Sequence, residues 1–242
     1  IYYWDESSGT NTRAEALSDN SGAVGAPILA LQTMVSENDR HTICFGCNPL
    51  GGSTIDPLLV RFSDQENPFD WTPTSTNTAG GVTLTAGSFI VGAIKTRQEI
   101  LIFTDSSIHT MRFSGSPFTF QFEVINKGLS MISPNAATNA GDLVFFMDRG
   151  GFYFYNGSIQ RLTCTVLDYV FSNLNTEQEF KVFAVTNLDF SEVVWYYPVG
   201  TGNTECTNYV SYNFMEDSWA VGTLTRGAFI PSKTKDFPLA SS

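Results

Sequence analysis

Basic residues are scarce: 13 Lys and Arg stand against 24 Asp and Glu, a net charge of −11, and the basic side chains are scattered rather than clustered. Holding phosphates takes a basic stripe that releases counterions, so general nucleic-acid affinity is excluded. Charge of either sign is sparse, at 15% against roughly 25% in an ordinary soluble domain. Such a surface is either unusually uncharged or partly covered by other subunits. No apolar run approaches the roughly 20 residues of a membrane-spanning helix, and no signal peptide is recognisable. The chain begins at Ile1 without an initiator Met, and it is expected to be a piece of something longer.

The residues of catalysis are equally thin. There is no Gly-x-Ser-x-Gly elbow, no Gly-Lys phosphate loop, no His-Glu-x-x-His and no glycine fingerprint at a strand-to-helix junction. His41 and His109 are the two histidines, each at the edge of an expected strand, where a packed or surface imidazole is the favoured reading. The four cysteines, Cys44, Cys47, Cys164 and Cys206, are too few to form a disulfide scaffold and are expected to be reduced thiols. Cys44-Phe45-Gly46-Cys47 has the spacing of a redox or zinc knuckle but lacks a second close pair, so a strand ending in small buried residues is favoured. Asp64, Glu66 and Asp70 invite a carboxylate-pair or calcium reading without the Gly-punctuated alternation of a calcium loop. Asn156-Gly157-Ser158 is formally a sequon, which an Asn-Gly hairpin turn of type I′ explains as well. No catalytic residue, cofactor-binding residue or metal ligand is therefore assigned, and no enzymatic activity is expected.

What the chain does have is aromatic residues, 14% of the total, and short apolar runs at regular spacing. Glu99 to Thr104 and Leu143 to Met147 are almost wholly apolar and too short for helices, so they read as buried strands. Each is followed by a turn and a second strand, one module written twice. Phe89 to Ile94, Glu99 to Thr104, Ile108 to Phe113 and Phe118 to Ile125 make a four-stranded meander; Val182 to Thr186, Val193 to Tyr197, Tyr209 to Phe214 and Trp219 to Leu224 make another. Leu58 to Phe62 is a strand, Asn77 to Gly81 and Asn135 to Gly141 read as loops, and Val166 to Leu174 is the plausible helix, with Thr176 and Glu179 at capping-box spacing after it. Aligned on their central turns, the modules place Asp64, Asp105, Asp148 and Pro198 in corresponding positions, a recurrence of roughly 40 to 50 residues that propeller blades produce.

The expected fold is all-β, a β-propeller-like assembly of four-stranded meander blades over residues 41–242, with a long irregular N-terminal segment and edge strands over 1–40. Asp5 to Gly25 in particular reads as a loop that a partner must order. A β-sandwich with an appended sheet is the alternative architecture.

Several stretches carry a resemblance to a known family. They are Asp39-Arg40-His41, Asp56-Pro57-Leu58, Arg61-Phe62-Ser63-Asp64-Gln65-Glu66, Asp70-Trp71-Thr72-Pro73 and Asn77-Thr78-Ala79-Gly80, then Thr96 to Leu101, Gly115 to Phe118, Phe152 to Gly157, Asp168 to Phe171, Glu192 to Trp195 with Tyr197-Pro198, and Tyr209 to Asn213. In that order they resemble the tail nozzle, or tail tubular protein B, type of structural protein of short-tailed bacteriophages. The resemblance covers most of the chain. It implies a virion tail component carrying a β-propeller, assembled in the bacterial host cytoplasm as a homo-oligomeric ring, a hexamer in the family. Such a ring would contact portal or adaptor proteins and tail fibres and form part of the DNA ejection conduit, with DNA passing through without sequence-specific binding. The alternative within the same setting is a carbohydrate- or receptor-binding propeller module of the tail, serving fibre docking or host recognition. An enzymatic propeller would instead point Asp64, Asp105 and Asp148 into one axial pocket, and these carboxylates are expected to cap turns.

Overall fold

The computed structural model describes residues 1–36, 39–115, 117–230 and 239–241. Strands β1 (Tyr2–Tyr3) and β2 (Glu15–Ala16) pair first, and four antiparallel sheets follow in chain order. The first sheet is β3 (Ala30–Val35), β4 (Thr42–Cys47), β5 (Asp56–Phe62) and β6 (Gly80–Thr83), and the second is β7 (Ile90–Lys95), β8 (Ile100–Thr104), β9 (Ser107–Phe113) and β10 (Phe120–Lys127). The third is β11 (Ala137–Ala140), β12 (Leu143–Asp148), β13 (Gly151–Tyr155) and β14 (Ile159–Arg161). After helix α1 (Leu167–Asn173) comes the fourth, β15 (Phe183–Asn187), β16 (Glu192–Tyr197), β17 (Asn208–Asn213) and β18 (Ser218–Thr223), and a hairpin of β19 (Ala228–Ile230) and β20 (Leu239–Ser241) ends the order. Each large sheet is a simple up-and-down meander, so the fold is all-β and built of propeller-type blades. The chain divides into two compact units, Ile1–Lys127 and Gly128–Ser242, each holding two of these sheets. Within residues 1–40, β3 is the edge strand of the first sheet and pairs with β4.

In the first unit the sheets are sealed face to face. Ile43, Phe45, Val60 and Phe62 from the first sheet meet Ile90, Ile100, Ile102, Met111 and Phe120 from the second, with the Phe62 and Phe120 rings 4.8 Å apart, edge to face. The other face of the first sheet is covered by the chain's own N-terminus: Cys44, Cys47 and Leu59 pack with Leu17 and Trp71, and Ile1, Tyr3 and Phe69 close over them. Within the first thirty residues, Ile1, Tyr3, Leu17 and Ala26 pack on this sheet. The Val24 N–H donates to Phe69 O at 2.8 Å, and the Trp71 N–H donates to Val24 O at 2.9 Å. At the centre of this cover sits Arg61, 4% exposed, whose guanidinium donates to the carbonyls of Gly25 (2.6 Å), Asn48 (3.2 Å) and Trp71 (3.3 Å) and lies 5.9 Å from the Trp71 ring centroid. One side chain thus ties the N-terminal segment, the β4–β5 connection and the strip after β5 to a single strand.

In the second unit the seal is aromatic. Phe152 of the third sheet stands 4.8 Å from Trp195 and 4.9 Å from Trp219 of the fourth, and Phe145 stacks on Phe214 at 5.7 Å. The indole of Trp195 donates to Ala136 O at 3.0 Å, which satisfies its one polar atom inside the core. On the fourth sheet's other face, Val185, Tyr196 and Cys206 are covered by Phe183, Tyr209 and Phe229 of the terminal hairpin. First strands are pinned side by side in both units. The Gln32 amide exchanges two hydrogen bonds with the Ala93 backbone at 2.8 and 2.7 Å, and Thr186 Oγ1 donates to Asn139 O at 2.8 Å beside Thr138.

The repeat is real, but its register in the first sheet differs from the sequence expectation. Asp105 and Asp148 lie at the turn between second and third strands, and each accepts a backbone N–H from the stretch leading into its sheet, Ser88 at 2.7 Å and Ser130 at 3.1 Å. The counterpart in the first sheet is Asn48, whose Oδ1 accepts from Ile28 N (2.8 Å) and Leu29 N (2.9 Å). Asp64 instead follows β5, the third strand. At Pro198 the backbone takes over, its carbonyl accepting from Asn175 N at 2.9 Å.

Two segments read as loops are strands. Gly80 and Gly81 begin β6 because the Phe62 ring lies against it: a Cβ on Gly80 would stand 2.7 Å from that ring. The small polar run at Asn135 to Gly141 contains β11, whose propensity is overridden by pairing with β12. At Asn156-Gly157-Ser158 only Gly157 has positive φ (+100°), so the connection is a three-residue turn rather than type I′. Asn175, not Thr176, caps the turn after α1, accepting from Glu177 N at 3.1 Å.

Replacing Arg61 by Met leaves buried carbonyls without donors and should lower stability by about 3 kcal/mol. Urea unfolding followed by tryptophan fluorescence measures this, and chymotryptic cleavage at Leu17 should accelerate in step. An unchanged midpoint with Leu17 still protected would be inconsistent with the tie described.

Candidate functional site

The carboxylates that an active site would need are engaged at turns. Asp64 Oδ1 accepts from both the N–H (2.8 Å) and the hydroxyl (2.7 Å) of Thr78. Partial burial pushes this carboxyl up, but the Thr78 and Gln65 donors outweigh it and hold it below its ordinary range. Ser88 does the same for Asp105. Asp148 also accepts from Gly150 N at 3.2 Å, and Asp70 accepts from Thr72 N at 3.1 Å and Asn77 Nδ2 at 3.0 Å. Glu66 pairs at 3.0 Å with Arg40, two largely exposed side chains whose attraction is screened by water. Asp64, Asp105 and Asp148 cap turns, as the sequence suggests. Among the described residues no three His, Cys, Asp or Glu side chains gather as a metal ion requires.

The two histidines are buried and neutral. His41 sits in a cage of Phe62, Phe113 and Phe120, the last 5.0 Å from it, and its Nε2 lies 3.0 Å from Thr78 Oγ1. The Thr78 hydroxyl already gives its proton to Asp64, so Nε2–H is the donor and Nδ1 is left buried without a partner. Burial lowers the His41 pKa despite the pull of Asp39 and Asp64. His109 lies 2.9 Å from Ser107 Oγ, which on distance alone suggests a nucleophile and its base. The same Nε2 faces Ala86 O at 3.1 Å, and a carbonyl only accepts, so this nitrogen carries a proton and is not a base for Ser107. Burial lowers the His109 pKa as well.

Cys44 and Cys47 face Leu17, Leu59 and Trp71, on the side of the first sheet opposite the His41 cage. Burial pushes both thiols up, Cys47 to about 11, and Cys206 is likewise pushed up to about 11, so none of them is a nucleophile near neutrality. All four cysteines are free.

A concave feature that the sequence did not disclose is a cavity of about 170 Å³ among the described residues of the first unit. Its apolar floor is Ile100, Met111, Phe113 and Phe120, and its described lining also includes Lys95 at the end of β7, Arg97 of the β7–β8 turn and Asp39. Glu99, also in the lining, accepts from Arg112 at 2.8 Å. It has room for one ring-sized apolar group, since a dry cavity of about 150 Å³ holds a benzene molecule. The floor residues come from three different strands, so only pairing brings them together; no linear motif marks the place.

Two measurements check this chemistry. At about pH 8, where an ordinary thiol is partly ionised, a disulfide reagent should modify half-exposed Cys164 first, with Cys44, Cys47 and Cys206 reacting only on unfolding; rapid native labelling of Cys47 would contradict its environment. Both imidazoles titrate below 6.5 in the fold, so the unfolded chain binds the extra protons on acidification. Their contribution to stability is complete above 6.5 and is lost as pH falls from there through the folded values. The urea midpoint should drop from about pH 7 to about pH 5, and less steeply in a His41→Phe, His109→Gln variant; equal slopes would contradict the burial of neutral imidazoles.

No family model matches the chain, and no curated protein matches it. Among solved structures it is similar to one described as Kluyveromyces lactis Hsv2 complete loop 6CD, at 14% identity and TM-score 0.43, covering 81% of this chain and 52% of that one. It is also similar to the N-terminal domain of Nup159, at 8% identity and TM-score 0.42, covering 88% of this chain and 48% of that one. The chain spans about half the length of these structures, and at such scores the fold assignment rests on the sheets themselves.

Proposed function

We propose that this chain is a non-catalytic structural module of a short-tailed bacteriophage tail, a nozzle or tail-tube component that associates with further copies of itself around a DNA conduit. The observation that carries the self-association is the surface: Phe118, Phe190 and Met215 are 69%, 67% and 76% exposed in a chain with only 15% charged residues. Large apolar side chains left in water by a poorly charged surface are what subunit contact covers. The tail role is supported by the ordered string of resembling stretches from Asp39 to Asn213. The inert surroundings of His109, Cys47 and the turn-capping carboxylates agree with a wall rather than a reaction centre. The chain's net charge of −11 also suits DNA passage, because each Lys or Arg contact with phosphate adds salt-dependent affinity and hence drag.

Within this reading the ring is a hexamer, its neighbours are portal or adaptor proteins and tail fibres, and its place is the virion tail. Exposed aromatic rings at turns, Phe118 and Phe190, also favour a second reading, a receptor- or carbohydrate-docking module of the same tail. Light scattering and negative-stain microscopy of the protein at micromolar concentration separate the two. Rings with a central channel are expected; particles that stay monomeric would overturn the conduit reading.

A further inference from the structure

The connection between β13 and β14 runs through Asn156, Gly157 and Ser158, all exposed to solvent, and Asn156 is the one asparagine of the sequence that glycine follows. Its amide is held in place. Asn156 Oδ1 accepts from the Ser158 hydroxyl at 3.2 Å and from the Ser158 N–H at 3.4 Å. Gln160 Nε2 donates to the same hydroxyl oxygen at 3.5 Å, which leaves the hydroxyl proton for Asn156. Gly157 is the open member of the turn. It sits at φ +100°, a Cβ there would meet nothing within 4 Å, and its N–H takes no hydrogen bond among the described residues.

An electrophile, two donors that polarise it and an uncommitted nitrogen thus lie in one turn. Attack of that nitrogen on Asn156 Cγ would drive negative charge onto Oδ1, where the Ser158 hydroxyl and N–H already point, the arrangement of an oxyanion hole. We propose that Asn156 is a self-modifying residue, whose side-chain amide is displaced by the Gly157 nitrogen and then hydrolysed to a carboxylate. The bond from Gly157 N to Asn156 Cγ forms as that nitrogen gives its proton to hydroxide from the solvent. The Cγ–Nδ2 bond breaks, Nδ2 takes a proton from water and leaves as ammonia, and a succinimide remains. Water then opens either carbonyl of the ring, giving aspartate or isoaspartate, with no change of oxidation state. Glycine suits the attacking position because it carries no Cβ to crowd the nitrogen and holds a positive φ without strain. The aspartate product adds a charge to this end of the third sheet. Isoaspartate also lengthens the main chain by a methylene, which should disturb the bond from Asn156 N to Ser158 O and loosen the pairing of Tyr155 with Ile159. None of this depends on what the chain assembles into.

The test ages the whole chain in mildly alkaline buffer and follows every asparagine by peptide mapping with mass spectrometry, with isoaspartate assayed enzymatically. The Asn156 peptide should convert from amide to acid ahead of all others, as a mixture of aspartate and isoaspartate. Ser158→Ala, which keeps the Asn-Gly pair and removes one donor, should slow conversion severalfold in the folded protein and leave it unchanged in urea; Ser158→Thr, which restores a hydroxyl, should recover the wild-type rate. An Asn156 that stays intact while other asparagines convert would overturn the proposal. So would a folded Ser158→Ala chain that converts as fast as the wild type, because the turn would then contribute nothing beyond the Asn-Gly sequence.

Discussion

Inner strands whose side chains are buried on both faces cannot stand in water, and the packing of each unit answers that constraint. Strand β8 is buried at all five positions and β4 at five of six, which leaves no solvent face to offer. Stacking two sheets covers one face of each. For the first and fourth sheets the remaining face is covered by segments outside the meanders: the N-terminal thirty residues with Trp71 on one, the Phe229 hairpin on the other. Arg61 shows the cost of such a cover. It is a buried cation held by three carbonyls, because the irregular backbone laid over the sheet has carbonyls that no ladder satisfies.

The same constraint accounts for the quiet chemistry. Polar side chains near the seals are used where backbone would otherwise go unpaired, as Asn48, Asp105 and Asp148 are at the turns and Gln32 is between first strands. A group spent in this way is fixed, and a fixed acceptor with its donor already in place has no proton to move. The Ser107–His109 pair is the clearest case: the distance suits catalysis, but Ala86 O sets the tautomer against it. Among the described residues the surface carries apolar side chains at turns and a ring-sized cavity, features that suit the binding of an apolar group.

How much of this was legible in the sequence depended on whether local pattern or pairing decided the outcome. The continuous runs around Leu101, Phe145 and Trp195 announced buried strands, and the two complete meanders could be read nearly residue for residue. Strand β6 was hidden because its glycines make room for the Phe62 ring, and β11 because its residues are too small and polar to signal a strand without β12. Asp64 was aligned with Asp105 on residue type; the true counterpart, Asn48, does the same work with an amide oxygen. Arg61 and the cavity over Phe113 and Phe120 lay beyond reach, since their partners are brought from distant points in the chain.

If closure of the exposed sheet face by the protein's own N-terminus is what completes the core of the first unit, the amides of that segment must be as hard to open as the strands beneath. Hydrogen exchange resolved to peptides measures this directly. The amides of Leu17, Val24 and Trp71, which donate to Ile1, Phe69 and Val24 carbonyls, should exchange together with those of β4 and β5, at the rate of unfolding of the unit as a whole. Exchange of Leu17 and Val24 within seconds, while β4 and β5 stay protected, would contradict it.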